Sequence, residues 1–339
     1  MTISIVWKKL SIATGKAAYF LKGIGCVSAT GTVLVAFSTL TAQAAVISNG
    51  ELSVEIRNDN GAINSLLFGR KEFYRKGTFV SDFGFQVGSD TSTFVLNSAL
   101  KNIGQPVTVS KNNNSVSVTG RYTQGGSAID FTRTYSLVPN HNVLRITTNF
   151  INSGADTLLS YFDTFDPDQG IAQRNGYGTY NDVFSIATGN GIAKVGQATD
   201  ISKLSVVIAS LDPDVTVASG FPFKIGDGKT LNNFFNSPFD GNGSYVDNGT
   251  HIGLRKLLTA GNSFSFTFDQ GFGNTSIKAQ QEFLAVNGGG TPVGGEVGGK
   301  PVPEPLTIFG SVTAVGFGIM FRKMRLKKFR KSLTQGKNS

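Results

Sequence analysis

The chain has 339 residues, a net charge of +9, two histidines and one cysteine. The charge is unevenly placed: four lysines and no acid precede residue 45, eight basic side chains and no acid lie between Arg322 and Ser339, and residues 45–321 are left with −3. The middle of the chain is therefore mildly acidic, which excludes a nucleic-acid role, because that needs basic residues gathered on the folded part.

Residues 1–44 read as a secretion signal. Lys8, Lys9, Lys16 and Lys22 make a positive start, residues 23–40 are uncharged and mostly apolar, and Ala42-Gln43-Ala44 gives the small-x-small pattern that a signal peptidase accepts. Cleavage is expected between Ala44 and Ala45. The long basic start keeps an uncleaved anchor helix open as the alternative. Cys26 falls inside this segment, with Gly23 where lipoprotein processing wants a Leu-like residue, so it reads as a small apolar side chain. No cysteine follows, so no disulfide holds the mature chain. About 240 residues remain for an ordinary core, which is ample.

Residues 45–286 read as β-structure. Leu52, Val54 and Ile56 alternate on one face, as do Val116 and Val118. Ile129, Phe131, Tyr135 and Leu137 share a face that Arg133 interrupts. Val143, Leu144, Ile146 and Phe150 follow, and Phe264, Phe266 and Phe268 alternate with Ser263, Ser265 and Thr267. Period-2 alternation marks half-buried antiparallel strands. Asn58-Asp59-Asn60-Gly61, Gly125-Gly126, Pro139-Asn140 and Asp240-Gly241-Asn242-Gly243 punctuate them as turns. One or two helical turns are expected at Ala279–Ala285. The expected fold class is all-β, a large antiparallel β-sandwich. Its rhythm, in Ile47–Tyr74 and again in Arg133–Gly170, resembles the galactose-mutarotase-like supersandwich of sugar epimerases, polysaccharide lyases and glycosidases. That resemblance implies histidine and carboxylate chemistry, yet the chain offers only His141 and His251, and no mutarotase catalytic residue maps onto it. No catalytic residue is assigned.

Asp163, Asp166 and Asp168 lie in Asp-Thr-Phe-Asp-Pro-Asp. Hard cations such as Ca²⁺ want several carboxylate and carbonyl oxygens together, and three acids bent by Pro167 supply part of that shell. The alternative is a solvated loop whose Asp side chains cap backbone amides. No resident cofactor is expected, and Ca²⁺ is the one ion the loop suits, weakly. The same acids are the one cluster for glycoside hydrolysis by paired carboxylates. Asp240–His251 opens like a calcium loop but has Tyr245 and His251 where an EF-hand needs Gly and Glu, so it reads as a turn. Phe221-Pro222-Phe223 and Phe234-Phe235 are read as loop packing before sugar platforms.

Residues 287–301 are Gly/Pro-rich and read as a linker. Val302, Pro303, Glu304 and Pro305 follow, then sixteen uncharged residues from Leu306 to Phe321. Sixteen helical residues reach about 24 Å, a little short of a ~30 Å hydrocarbon core. Next come Arg322, Lys323, Arg325, Lys327, Lys328, Arg330 and Lys331, expected to stay cytoplasmic, and a polar tail at 332–339. Three parts in this order resemble the PEP-CTERM sorting signal, with motif 302–305, membrane helix 306–321 and basic cluster 322–331. The resemblance implies export, a transient hold in the inner membrane, processing by an exosortase-type transpeptidase, and release to a cell surface or matrix rich in extracellular polysaccharide. A plain single-pass anchor is the alternative. For the body two readings remain open: a non-enzymatic surface or matrix protein that grips polysaccharide, and a carbohydrate-active enzyme of the mutarotase or lyase type.

Overall fold

The computed structural model describes residues 44–74, 81–88, 94–96, 107–124, 126–171, 174–220, 233–238, 241, 243 and 245–294. Residues 1–43, with Ala42, and the whole of 302–331, the segment expected to be a sorting signal, lie outside that set, as does Phe221-Pro222-Phe223. No helix among the described residues is long and apolar enough to cross a membrane.

The strands are β1 (Ala45–Ser48), β2 (Leu52–Ile56), β3 (Ile63–Phe68), β4 (Lys71–Glu72), β5 (Ser81–Val87) and β6 (Phe94–Leu96). Then come β7 (Thr108–Asn112), β8 (Ser115–Gln124), β9 (Ser127–Leu137), β10 (Val143–Asn152), β11 (Thr157–Phe165) and β12 (Thr179–Thr188). The last are β13 (Gly191–Thr199), β14 (Ser205–Ser210), β15 (Thr216–Gly220), β16 (Tyr245–Val246), β17 (Gly249–Leu258) and β18 (Ser263–Gly273), followed by helix α1 (Ser276–Val286). They form a four-stranded sheet β1-β2-β3-β4, a nine-stranded sheet β16-β12-β13-β14-β18-β10-β9-β8-β7 and a five-stranded sheet β15-β17-β11-β5-β6. The pairing is antiparallel, and the fold is the expected β-sandwich.

The alternation read from the sequence falls on the buried phase. Leu52, Val54, Ile56, Val116, Val118 and Ile129 are fully buried. Aromatic rings stitch the nine-stranded sheet to the five-stranded one: Phe85 of β5 meets Phe131 of β9 and Phe150 of β10 edge to face, at 5.7 and 5.8 Å. Tyr161 of β11 meets Phe150 and Phe266 at 5.2 and 5.6 Å. Such pairs contribute about 0.5–1.5 kcal/mol each beyond their buried area. The four-stranded sheet closes one end of the same core through Phe68, which lies 6.3 Å from Phe272. Gly61 makes that closure feasible: it turns at φ +72°, and a Cβ there would sit 2.3 Å from a Val118 methyl.

The outer face of the nine-stranded sheet has two halves. Ile186, Ala193, Val195, Val207 and Ala209 on β12–β14 are covered by Ala279, Phe283 and Leu284 of α1. This explains why all six residues of β14 are buried. The helix is longer than the expected turns at Ala279–Ala285 because Thr275 caps it, its side chain accepting from the Lys278 amide. The other half, on β18, β10, β9, β8 and β7, carries cross-strand rows of hydroxyls, with one amide among them. One row runs Thr267–Thr147–Thr134–Ser117–Ser110, and the next Ser265–Asn149–Thr132–Thr119–Thr108.

The segment after α1 stays with the body over its first residues. Gly290 bridges Thr188, and the Val293 amide donates to Gln280, which is itself buried against Gln197.

Candidate functional site

Strand β11 ends at Phe165 and is followed at once by Asp166-Pro167-Asp168. This corner is fixed to the rest of the fold. The Asp168 amide donates to the Phe73 carbonyl at 3.0 Å, and the Ile171 amide donates back to the Asp168 carbonyl. The adjoining Gln169, fully buried, donates its Nε2 to the Leu204 carbonyl at 3.1 Å. A third acid arrives from far along the chain. Asp247 occupies the turn between β16 and β17, and both strands are held by pairing: Tyr245 and Val246 against Tyr180 and Thr179, and Thr250 against Phe165. Gly241, at φ +78°, lets the chain approaching β16 pass close to β12, where a Cβ would lie 2.8 Å from the Asn181 carbonyl.

The outcome is a cluster of Asp166, Asp168 and Asp247 in which one carboxylate oxygen from each lies within 4.8 Å of the other two. Asp168 is buried, Asp166 half-buried and Asp247 exposed. Burial pushes the Asp166 carboxyl up to about 7, with the like charges of Asp168 and Asp247 adding to the effect. Burial also raises Asp247. Two arrangements of charge relieve such a cluster: a proton on Asp166 or a cation among the oxygens. The spacing suits a hard cation, because ligands each about 2.4 Å from one ion stand at most about 4.8 Å apart.

Asp163 does not belong to this cluster. It projects from β11 into the space between the sheets, where it receives Arg133 of β9. Nη2 of Arg133 lies 2.6 Å from Oδ1 and Nη1 lies 3.0 Å from Oδ2. The hydroxyl of Tyr161 donates to the same Oδ2, and Thr148 Oγ1 lies 3.2 Å from that hydroxyl. The Arg133 guanidinium is sandwiched between aromatic faces, 4.5 Å from the Phe83 centroid and 4.8 Å from that of Tyr135. Burial raises the Asp163 carboxyl, and the charge and hydrogen bonds of Arg133 pull against that rise. The metal set expected from sequence therefore keeps Asp166 and Asp168, loses Asp163 to the core and gains Asp247. The physical reason is strand parity. Asp163 falls on the inward phase with Tyr161 and Phe165, whereas Asp166 and Asp168 come after the strand has ended.

Asp247 was hidden because it lies in the stretch that fails as a calcium loop. The one signal was an acid beside a turn that leads into an apolar strand. His251, in the same stretch, lies inside β17 and is buried. Burial lowers its ring to about 3, and the neutral ring's Nε2 bonds the Gly220 carbonyl at 2.8 Å. His141 stands in its turn as expected, partly exposed, with Nδ1 3.3 Å from Glu282 of α1. Phe234 is buried against Phe162, and Arg255 lies over Phe235 at 4.4 Å, so this pair packs as the sequence suggested. Ala45 opens β1 opposite Ile56.

No family model and no curated protein sequence matches the chain. Among solved structures, a galactose mutarotase related enzyme from Lactobacillus acidophilus is 11% identical, with a TM-score of 0.40 over 69% of this chain and 98% of that one. A polysaccharide lyase is 16% identical, with a TM-score of 0.42 over 72% of this chain and 35% of its own. A bacterial glucoamylase complexed with acarbose is 14% identical, with a TM-score of 0.47 over 80% of this chain and 36% of its own. These are likenesses of shape, and no residue of a site is carried over from them.

Proposed function

We propose that the chain is an exported bacterial surface or matrix protein, sorted through its C-terminus by an exosortase-type enzyme, whose β-sandwich holds extracellular polysaccharide without transforming it. The observation that supports sorting is the order of parts: Ala42-Gln43-Ala44 after an apolar run at one end, and Pro303-Glu304-Pro305, an apolar sixteen-residue run and a basic cluster at the other. Two prolines keep the motif extended and unpaired, which suits a protease cleft. Mass spectrometry of the mature protein from its native host tests this. A C-terminus near residue 305 is expected, and replacing Pro303 and Pro305 with Ala should retain residues 306–339. Recovery of the Arg322–Lys331 peptide from surface-located protein would mean a plain anchor.

Asp166, Asp168 and Asp247 are the ligand set we assign to Ca²⁺. Because the ion competes with a proton on Asp166, binding should strengthen as pH rises through about 7. Isothermal titration against Asp166→Asn and Asp247→Asn tests it, and an unchanged heat in both variants would remove the site.

The enzyme reading has one observation in its favour: Asp166 would carry a proton near neutrality beside two further carboxyl groups, as a general acid paired with a second carboxyl must. The oxygens lie within 4.8 Å, closer than the ~5–5.5 Å or ~6.5–9.5 Å carboxyl separations of glycosidases. That crowding favours the cation. Release of reducing ends from host polysaccharide, lost in Asp166→Asn, would reverse this preference.

A further inference from the structure

We propose that a cavity on the outer face of the nine-stranded sheet, at the C-terminal end of α1, receives one neutral saccharide unit of a polysaccharide chain; this rests on the polysaccharide-holding function above. The cavity has a volume of about 430 Å³ and is lined by Arg145, Ser210, Asp212, Ser265, Thr267 and Asn287, among others. It lies where the helix-covered half of that face meets the hydroxyl rows. Its size falls at the small-ligand end of the usual range for binding pockets.

The polar groups here are held in place before any ligand arrives. Asp269 is nearly fully buried and accepts from Arg145 Nε and Nη2, each at 2.8 Å. Its Oδ2 also accepts from Asn287 Nδ2 at 2.8 Å, and Asn287 is fixed in turn by the Phe283 carbonyl at 2.9 Å. This fork uses two of the three guanidinium nitrogens and leaves Nη1 as an oriented donor. Asp212 is anchored through Oδ1, which accepts from the Asp214 amide at 2.9 Å, and its Oδ2 remains as an acceptor. Ser210 takes the Asp212 amide and donates to the Thr267 carbonyl. A fixed donor and a fixed acceptor beside the Ser265 and Thr267 hydroxyls match vicinal hydroxyl groups, each of which donates and accepts at once.

Charge selects among hydroxylated ligands. Asp269 neutralises Arg145, so Asp212 leaves the cavity net negative, which disfavours uronate, sulfate and phosphate. A cation is disfavoured as well, because both Asp269 oxygens are already committed. The rows beginning at Thr267 and Ser265 run across four further strands with half-buried or exposed hydroxyls and the exposed Asn149 amide. A polymer can therefore continue past the cavity, where a free sugar has nothing to follow. Phe268 and Phe283 at the cavity are buried, so no aromatic platform adds stacking, and the affinity for one unit should be weak.

The test is saturation-transfer NMR and calorimetry on the full chain in detergent with cellobiose, maltose and lactose, and with a glucuronate-containing disaccharide as the charge control. At least one neutral disaccharide should bind with a Kd on the order of 1 mM, and the uronate about tenfold more weakly. Ser265→Trp, at an exposed strand position, fills the cavity and should abolish binding. Asp212→Ala should weaken it by about tenfold or more, and Asp59→Asn, at an exposed turn of the four-stranded sheet, should leave it unchanged. Circular dichroism establishes that each variant is folded. If both cavity variants bind as the parent does, or if no neutral disaccharide binds while the chain still retains host polysaccharide, the cavity is not the site. If neither disaccharide nor polysaccharide is retained, the polysaccharide-holding function fails and this inference fails with it.

Discussion

Asp163 and Asp166 are three residues apart and meet opposite fates. Asp163 is inside, gripped by two nitrogens of Arg133 and by a tyrosine hydroxyl. Asp166 is half outside, its neighbours are two more carboxylates, and burial, with their like charges adding to it, pushes it up. The same side chain is thus a structural tie in one place and a store of repulsion in the other. A buried charge with its partner is held by the fold, whereas a cluster of like charges must be relieved by something from solution, a proton or a cation.

The sharpest way to break this comparison is to remove the tie. Asp163→Ala leaves Arg133 buried without its carboxylate and should cost about 3–5 kcal/mol, read as a lowered urea midpoint. An Arg133→Met, Asp163→Leu double variant should recover much of that loss, because replacing both partners with apolar groups removes the uncompensated charge. A double variant as unstable as the single one would mean that the ion pair does more than satisfy itself.

Acid acts through a different group. His251 is held neutral, with its ring lowered to about 3 from the ordinary 6.5. The unfolded chain takes up that proton first, so the stability it contributes is present above pH 6.5 and is lost as pH falls toward 3. The loss should be about 3 kcal/mol, and urea titrations between pH 7 and 4 should show the slope flattened in His251→Gln.

The cluster should slope the other way. Asp166 binds its proton more tightly in the folded chain, so its contribution is full below about pH 4 and fades as pH rises through about 7. Allowing for solvent screening at a half-buried site, the effect should be on the order of 2 kcal/mol. Asp166→Asn should remove it and make the chain more stable at pH 8. A variant less stable than the parent there would contradict the repulsion.

The smallest effect belongs to an exposed pair. Lys256 Nζ lies 3.1 Å from Asp214, with both side chains largely in solvent. Asp214→Ala should change stability by no more than about 0.5 kcal/mol. A larger loss would show that exposed and buried pairs differ less than burial implies.

The β-sandwich was legible because its signal is local. Leu52, Val54 and Ile56 alternate within five residues, and the strand they form carries that alternation into the core. Arg133 was legible as an interruption, since a charge on the inward phase of β9 demands a partner. Which residue answers it was not, because Asp163 lies thirty residues on and meets it only when two sheets close face to face. Asp247 was hidden for the same reason, joining Asp166 through the pairing of β17 with β11. Helix α1 was underestimated because Gln280, Gln281 and Glu282 dilute its apolar stripe, and because its buried side faces a sheet whose outer surface is apolar only over β12–β14.

The attachment of residues 288–293 to the body alters the working distance to the C-terminal motif. From Asn287 the run to Val302 spans fifteen residues, a reach of about 50 Å at full extension. The Gly290 bridge and the Gln280–Val293 pairing move the effective starting point to Gly294. Eight residues then remain, and whatever their conformation they span no more than about 28 Å. A membrane enzyme acting on Pro303–Pro305 would therefore meet the sandwich as a near wall, so the shape of the body at this end is part of what such an enzyme must accommodate.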